Sequence, residues 1–178
     1  MKKFAKHTLF VLLSVGFVII SSGQTKDEQI KLIRKKFQQI NSDTTLRKVT
    51  LESEEFLEET PDNGGELTGY YENRKIKKIY EWIGLSNGIN TSEFYFDNEQ
   101  LIFVFEKFDS FLFDDKKGEF DLSKTKTIFE GRFYFNNKKL FSKSTKGDKS
   151  LAAQGESTEK VLLERASENL GTLNKKAN

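Results

Sequence analysis

A seven-residue unit that recurs three times in the chain constrains its fold more than any other sequence feature. Each copy contains tyrosine, a second aromatic residue, a polar residue, asparagine, two polar residues and an aliphatic residue. The copies span Tyr70–Ile76, Tyr95–Leu101 and Tyr134–Leu140. Aromatic and aliphatic residues favour strands, and asparagine accepts the left-handed backbone that a tight turn requires. Each copy therefore predicts an antiparallel β-hairpin.

Alternation around these turns predicts which face of each hairpin is buried. A two-residue loop at Asn98 and Glu99 pairs Phe96 with Leu101 and Phe94 with Phe103, and residues directly opposite each other share a face. The predicted core face carries Leu67, Tyr71, Ile76, Tyr80, Phe94, Phe96, Leu101, Phe103, Phe105, Phe133, Phe135 and Leu140. The opposite face is mixed and carries Tyr70, Lys77, Ile79, Tyr95, Ile102, Val104, Tyr134, Phe141 and Lys143. Either a helix covers part of this mixed face, or the face is an aromatic binding surface.

Helical patterns lie on both sides of the hairpin region. Thr25 and Glu28 form a capping-box pattern, and an apolar stripe follows it at helical spacing up to about residue 41. A second helix is predicted from Ser157 or Thr158 to Leu170, with Gly171 as its C-terminal cap. The sequence therefore predicts an α+β fold, an antiparallel β-meander of about six or seven strands flanked by an N-terminal and a C-terminal helix.

The first residues have the pattern of a secretory signal peptide. Three lysines precede an apolar run from Leu9 to Ile20, and small residues follow it up to Gly23. That run is shorter than the roughly 20 residues of a membrane-spanning helix, although an uncleaved anchor is the alternative. We expect cleavage near Gly23 and export to the periplasm or medium, with no membrane span afterwards. The predicted segments are a signal peptide (1–23), a helix plus β-hairpin domain (24–143), a mobile linker (144–156) and a C-terminal helix and tail (157–178).

Two residue types are missing from the part of the chain that follows the signal peptide. The sequence has no cysteine, and its single histidine, His7, lies within the predicted signal peptide. Serine–histidine and cysteine–histidine catalysis and histidine- or thiolate-ligated metal sites are therefore excluded. The 29 basic and 27 acidic residues nearly balance, without the concentrated basic face of a nucleic-acid-binding protein. The sequence predicts no cofactor, no metal site and no nucleic-acid partner.

Four aromatic residues are the candidate ligand-binding residues, namely Tyr70, Trp82, Tyr95 and Tyr134. Amphipathic aromatic rings on a sheet face are suited to stacking on sugars or docking a partner, although a covering helix would make them part of the core. Acidic residues offer two other kinds of chemistry. The segment from Glu52 to Glu72 contains acids and no lysine or arginine, which suits either a calcium site or a solvated loop. Paired carboxylates elsewhere could hydrolyse glycans.

The hairpin motif resembles that of MORN-type repeats and of small uncharacterised exported proteins of the Bacteroidota. The segments Gly65–Tyr71 and Thr91–Asn98 carry the resemblance, which covers about residues 65–145. The glycine that the MORN pattern has after asparagine is replaced here, by Arg74, Glu99 and Lys138. The resemblance implies export and hairpins, and it implies no activity.

These observations favour an exported, non-enzymatic binding module that uses an aromatic sheet face or rim. Its expected partner is a protein or carbohydrate, and its oligomeric state is open. The alternatives are a carboxylate-dependent glycan hydrolase and a structural envelope or interaction protein. The hydrolase needs two acids that face each other in a cleft.

Overall fold

The computed structural model describes residues 25–147 and 157–177. Its elements, in chain order, are α1 (Lys26–Ser42), β1 (Arg47–Glu52), α2 (Ser53–Phe56), β2 (Gly65–Glu72), β3 (Lys75–Leu85), β4 (Gly88–Asp97), β5 (Gln100–Asp114), β6 (Glu119–Asn136), β7 (Lys139–Gly147) and α3 (Thr158–Ala177). The predicted α+β meander with a helix at each end is confirmed. The predicted signal peptide (1–23) lies outside the described residues.

The seven strands form one antiparallel sheet in the order β1-β2-β3-β4-β5-β6-β7. Every strand pairs with its neighbours in sequence, so β1 and β7 are the edges. The segment 108–120 is a strand pair rather than a loop, because β5 continues to Asp114 and β6 begins at Glu119. The structure also corrects the predicted start of the linker. Ser144 to Gly147 belong to β7, where Ser144 pairs with Arg132, and residues 148–156 lie outside the described residues.

The three repeated units form hairpins with the same turn. Both loop residues have positive φ in each, with values of 49° and 63° for Asn98 and Glu99, as a type I′ turn requires. Each turn is followed by a bulge in its second strand. Phe96 pairs with Leu101 as predicted, but Tyr95 then pairs with Phe103. Ile102 is therefore the extra residue, and Lys77 and Phe141 are extra residues at the equivalent places.

The bulge overturns part of the predicted face assignment, because an extra residue reverses the alternation beyond it. Phe103 and Phe105 lie on the face of Tyr95, whereas Val104 lies on the face of Phe94. After the bulge at Lys77, Ile79 likewise joins the Phe94 face, and Tyr80 lies on the other. The remaining residues of the predicted core face do form one core, packed beneath α3, namely Leu67, Tyr71, Ile76, Phe94, Phe96, Leu101, Phe133, Phe135 and the partly buried Leu140.

Helix α1 covers part of the opposite face, which was one of the two expected arrangements. Its capping box is present, because Thr25 and Glu28 exchange hydrogen bonds through their side chains and backbone amides. The apolar stripe of Ile30, Ile33, Phe37 and Ile40 packs against Tyr95, Phe103 and Tyr134. None of the residues of α1 is fully buried, so the helix lies on the sheet with its apolar side only partly enclosed.

Helix α3 is longer than predicted. Gly171 does not end it, and the helix continues to Ala177. Leu173, beyond the glycine, is fully buried and sits against Gly69 of β2, whose missing side chain leaves room for it. Burial of a leucine side chain contributes about 1.5–3 kcal/mol, which exceeds the roughly 1 kcal/mol cost of an internal glycine. Packing therefore overrides the capping signal.

The described helices include none that is long and apolar enough to span a membrane.

Candidate functional site

The four aromatic residues singled out from the sequence lie on one face of the sheet, the face that carries α1. Strand register places three of them in a single row across β2 to β6, in the order Tyr70, Lys78, Tyr95, Phe103 and Tyr134. Trp82 lies on the same face further along β3, between Glu66 and Thr91. Helix α1 covers Tyr95 and Tyr134, which are 0% and 4% exposed, whereas Tyr70 and Trp82 are half-buried.

A cleft of about 550 Å³ opens between α1 and this face. We call it the α1 cleft. Its sheet side is lined by residues of β4, β5 and β6, namely Glu93, Phe103, Phe105, Arg132 and Tyr134. Its helix side is lined by Ile33, Arg34, Phe37, Gln38 and Asn41. Of the four predicted residues, Tyr134 therefore lines the cleft. Phenylalanine and isoleucine side chains supply an apolar interior, and the polar groups lie at its two ends.

The β4 end of the α1 cleft holds a closed polar network. The Tyr95 hydroxyl donates to the carboxylate of Glu93 and accepts a 3.0 Å hydrogen bond from Nδ2 of Asn41. Nζ of Lys78 lies 3.0 Å from Oδ1 of Asn41 and 3.3 Å from Glu93 Oε2. Burial and the neighbouring Glu93 carboxylate raise the pKa of Tyr95 well above its usual value. This network fixes the end of α1 on the sheet and neutralises Glu93.

The β6 end of the cleft is positively charged. Nε of Arg34 donates a 3.3 Å hydrogen bond to the Tyr134 hydroxyl. The Arg132 guanidinium lies 5.1 Å from the centre of the Phe105 ring, and its Nη1 is 3.1 Å from Oε2 of Glu130. Arg132 and Tyr134 are two residues apart on β6, so they project from the same face about 7 Å apart.

Tyr70 and Trp82 lie outside the α1 cleft. The Tyr70 ring belongs to a group of aromatic rings around the Lys78 ammonium, at 5.7 Å from Tyr70, 6.0 Å from Tyr80 and 5.1 Å from Tyr95. Burial is the main cause that raises the pKa of Tyr70 and Tyr80. The Lys78 ammonium occupies the space between these rings. Tyr70 therefore contributes to the packing of the sheet beside the α1 cleft and does not line the cleft.

Several cleft residues were not identified from the sequence. Phe103 and Phe105 were assigned to the other face, because the bulge at Ile102 was not anticipated. Arg34 and Arg132 stand in charged stretches that carry no local signal. The sequence signal that bears on these bulges is the asparagine turn that the three hairpins share. Because the turns are alike, a bulge that follows one of them is expected after the other two.

The two buried carboxylates among the described residues are engaged within the protein and do not face the α1 cleft. Glu81 and Glu106 are buried beneath α3, 2% and 3% exposed, and Arg165 forms an ion pair with each of them. Glu81 also accepts a 2.6 Å hydrogen bond from Asn169. Burial opposes the charge on Arg165, but the two carboxylates outweigh it and raise the pKa of its guanidinium. The cluster therefore attaches α3 to the sheet.

The acidic segment between Glu52 and Glu72 suits either a calcium site or a solvated loop by its sequence. Part of it is the short helix α2, in which Glu55 pairs with Lys176 of α3. Within residues 25–147 and 157–177, no group of three or more acidic side chains is placed to hold a metal ion.

Together these features define a class of protein, a seven-stranded antiparallel meander with a helix on each face and an aromatic cleft beneath the N-terminal helix. A scan against protein-family models and searches of curated proteins and solved structures found no match.

Proposed function

We propose that this protein is an exported, non-enzymatic binding module that holds its ligand in the α1 cleft. The observation that carries the proposal is the cleft itself, about 550 Å³ with an aromatic interior and polar groups at both ends. Small-molecule sites in proteins are concave, mostly apolar and about 300–1,000 Å³ in volume, with a few polar groups that orient the ligand. Export rests on the sequence of residues 1–23.

The packing of α1 supports this assignment. Phe37 contacts Tyr95 and Phe103 edge to face, with ring centres 4.9 and 5.5 Å apart, and so seats the helix at one end of the cleft. Phe105 is only partly buried although it lies near the middle of the sheet, because α1 leaves it uncovered. The Arg132 guanidinium lies over part of this ring, and the apolar surface that remains exposed beside it gains free energy when a ligand covers it, at roughly 25 cal/mol per Å².

Binding is favoured over the hydrolase alternative because of where the acids lie. The buried pair, Glu81 and Glu106, is bridged by Arg165, and a substrate would have to displace both this arginine and α3. Among the described residues, Glu93 is the one acid that lines the α1 cleft, and it is already engaged by Lys78 and Tyr95. The cleft is therefore equipped to hold a ligand and lacks a pair of facing acids.

Native mass spectrometry of the protein purified from the envelope of cells that express the full chain tests the proposal. We expect a retained molecule that dissociates on unfolding. The variant Gln38→Trp places an indole at the cleft, and because Gln38 is exposed we expect the protein to fold normally and to lose that molecule.

The matched control is Leu32→Trp. Leu32 is 48% exposed on the same helix and does not line the cleft, so this variant should retain the molecule. Equal retention by wild type, Gln38→Trp and Leu32→Trp would show that the ligand binds elsewhere and would refute the proposal. Circular dichroism checks that both variants are folded.

A further inference from the structure

We infer that the ligand of the α1 cleft is a compact cyclic molecule with one anionic group, a carboxylate or a phosphate, bound at the β6 end by Arg34 and Arg132. This inference rests on the proposed function and adds the chemistry of the ligand.

Arg34 has unused hydrogen-bonding capacity. Its contact with Tyr134 uses Nε, so both terminal nitrogens of the guanidinium have no hydrogen-bond partner among the described residues. No acidic side chain of residues 25–147 or 157–177 forms an ion pair with it. The Tyr134 hydroxyl holds the guanidinium over the sheet at the mouth of the cleft. A guanidinium fixed through Nε and open at its other two nitrogens is suited to a bidentate contact with an oxyanion.

Arg132 adds a second positive charge on the same side. Its pair with Glu130 involves Nη1, and Phe105 beneath it holds the planar group over the sheet. Arginine stacked on an aromatic ring keeps its edge available for hydrogen bonds. Glu130 does not line the cleft, whereas Arg132 does. The anionic group of a ligand at this end would therefore meet two arginines, of which Arg132 also pairs with Glu130 through Nη1.

The opposite end of the cleft, on β4, does not favour a positively charged ligand group. The Glu93 carboxylate is 3.3 Å from Lys78 and accepts from the Tyr95 hydroxyl, so its charge is satisfied within the protein. The net charge of the cleft lining thus comes from the arginines. Between the two ends lies the partly exposed ring of Phe105, and Ile33 and Phe37 line the helix side, so the interior suits the apolar face of an aromatic compound or of a sugar ring.

Isothermal titration calorimetry with two matched pairs of probes tests the inference. The first pair, 2-naphthylacetate and 2-naphthylacetamide, differs in charge on an aromatic body. The second pair, 4-nitrophenyl β-glucuronide and 4-nitrophenyl β-glucoside, differs in charge on a sugar. We expect the anionic member of at least one pair to bind about tenfold or more tightly than its neutral partner, because hydrogen bonds to charged groups are about twice as strong as neutral ones. The pair that shows this preference tells whether the ring of the ligand is aromatic or a sugar.

Four variants locate the effect. In Arg34→Gln and Arg132→Gln the ratio of anion to neutral affinity should fall about fivefold or more, since each removes one guanidinium contact. Lys35→Gln removes a neighbouring exposed charge of α1 that does not line the cleft, and it should leave the ratio unchanged. Gln38→Trp should abolish binding of both members of the pair.

The outcomes separate this inference from the proposed function. Equal affinity for the charged and neutral probes, lost in Gln38→Trp, would keep the cleft as the binding site and overturn the anionic ligand. A ratio that falls as much in Lys35→Gln as in Arg34→Gln would overturn it as well, since only the general charge of α1 would then matter. If no probe binds, the anionic cyclic ligand is rejected, and the molecule retained in mass spectrometry decides the proposed function alone.

Discussion

Nε of Arg34 on α1 lies 3.3 Å from the hydroxyl oxygen of Tyr134 on β6, although the two residues are 100 positions apart in the chain. This hydrogen bond crosses the mouth of the α1 cleft. Together with the Asn41–Tyr95 contact it attaches α1 to the sheet at two places, and the cleft lies between them. The helix is thus held by these polar contacts and by the packing of its apolar stripe on the sheet, while Phe105 stays partly exposed.

The first prediction concerns this attachment. Tyr134→Phe removes the acceptor for Arg34, and we expect amide hydrogen exchange in residues 26–42 to become faster while α3 is unaffected. The loss of one partly buried hydrogen bond should cost about 0.5–1.5 kcal/mol. Tyr70→Phe, in the same row but away from α1, is the control. Equal exchange of α1 in wild type and Tyr134→Phe would show that the hydrogen bond does not hold the helix.

The second prediction concerns the buried ion cluster under α3. Arg165→Ala leaves Glu81 and Glu106 buried without their shared counter-charge, and the free energy of unfolding should fall by about 3–5 kcal/mol. Urea denaturation measures it. Lys160→Ala on the same helix affects an exposed pair with Glu164 and should change stability by less than about 0.5 kcal/mol. A loss in Arg165→Ala no larger than that of the control would contradict the structural role of the cluster.

The third prediction concerns the hairpin turns. Glu99 has φ of 63°, in the left-handed region where a side chain is strained, and Arg74 and Lys138 share this conformation. Replacing Glu99 with glycine should stabilise the protein by about 1 kcal/mol, because type I′ turns favour asparagine followed by glycine. Gln100→Gly, one residue further into β5, should destabilise it. Thermal unfolding of the two variants measures the difference, and a lower midpoint for Glu99→Gly than for wild type would be inconsistent with the turn.

The fourth prediction concerns alkaline pH. Burial and Glu93 raise the pKa of Tyr95 in the folded protein, so in the alkaline range the folded state keeps a proton that the unfolded state loses. Stability therefore falls as pH rises above about 10, by up to about 1.4 kcal/mol per pH unit for this group. In Tyr95→Phe this contribution is absent.

Urea denaturation of both proteins at about pH 8 and about pH 11 tests the sign of this effect. The stability advantage of wild type over Tyr95→Phe should be present at the lower pH and should shrink at the higher pH. The other tyrosines titrate in both proteins and cancel in the comparison. An advantage that stays constant or grows with pH would exclude a raised Tyr95 pKa.

The sequence predicted those parts of the fold that depend on local signals. The capping box of Thr25 and Glu28, the helical stripe of α1 and the asparagine turns each act within a few residues, and each is present. Where the sequence failed, contacts distant in the chain decide the outcome. Gly171 stays helical because Leu173 packs on β2, and β7 extends past Ser144 because it pairs with β6.

The candidate site was less accessible from the sequence for the same reason. Tyr134 was identified as an amphipathic aromatic residue, but the cleft depends on where α1 crosses the sheet, which no local pattern encodes. The bulge after Asn98 and Glu99 brings Phe103 and Phe105 to the helix side, and this single extra residue changes the composition of the site. Arg34 and Arg132 become partners of one cleft only in the folded chain.

Nuclear magnetic resonance of the isoleucine δ1 methyl groups tests most directly whether ligands bind in the α1 cleft. The titrant is the anionic probe that binds more tightly in calorimetry, 2-naphthylacetate or 4-nitrophenyl β-glucuronide. Ile33 lines the cleft, and Ile79 is fully buried in the core beneath α3. We predict that the Ile33 signal shifts in a saturable manner while the Ile79 signal does not move. A saturable shift at Ile79 with Ile33 unchanged, or no shift of Ile33 at millimolar probe, would contradict the account.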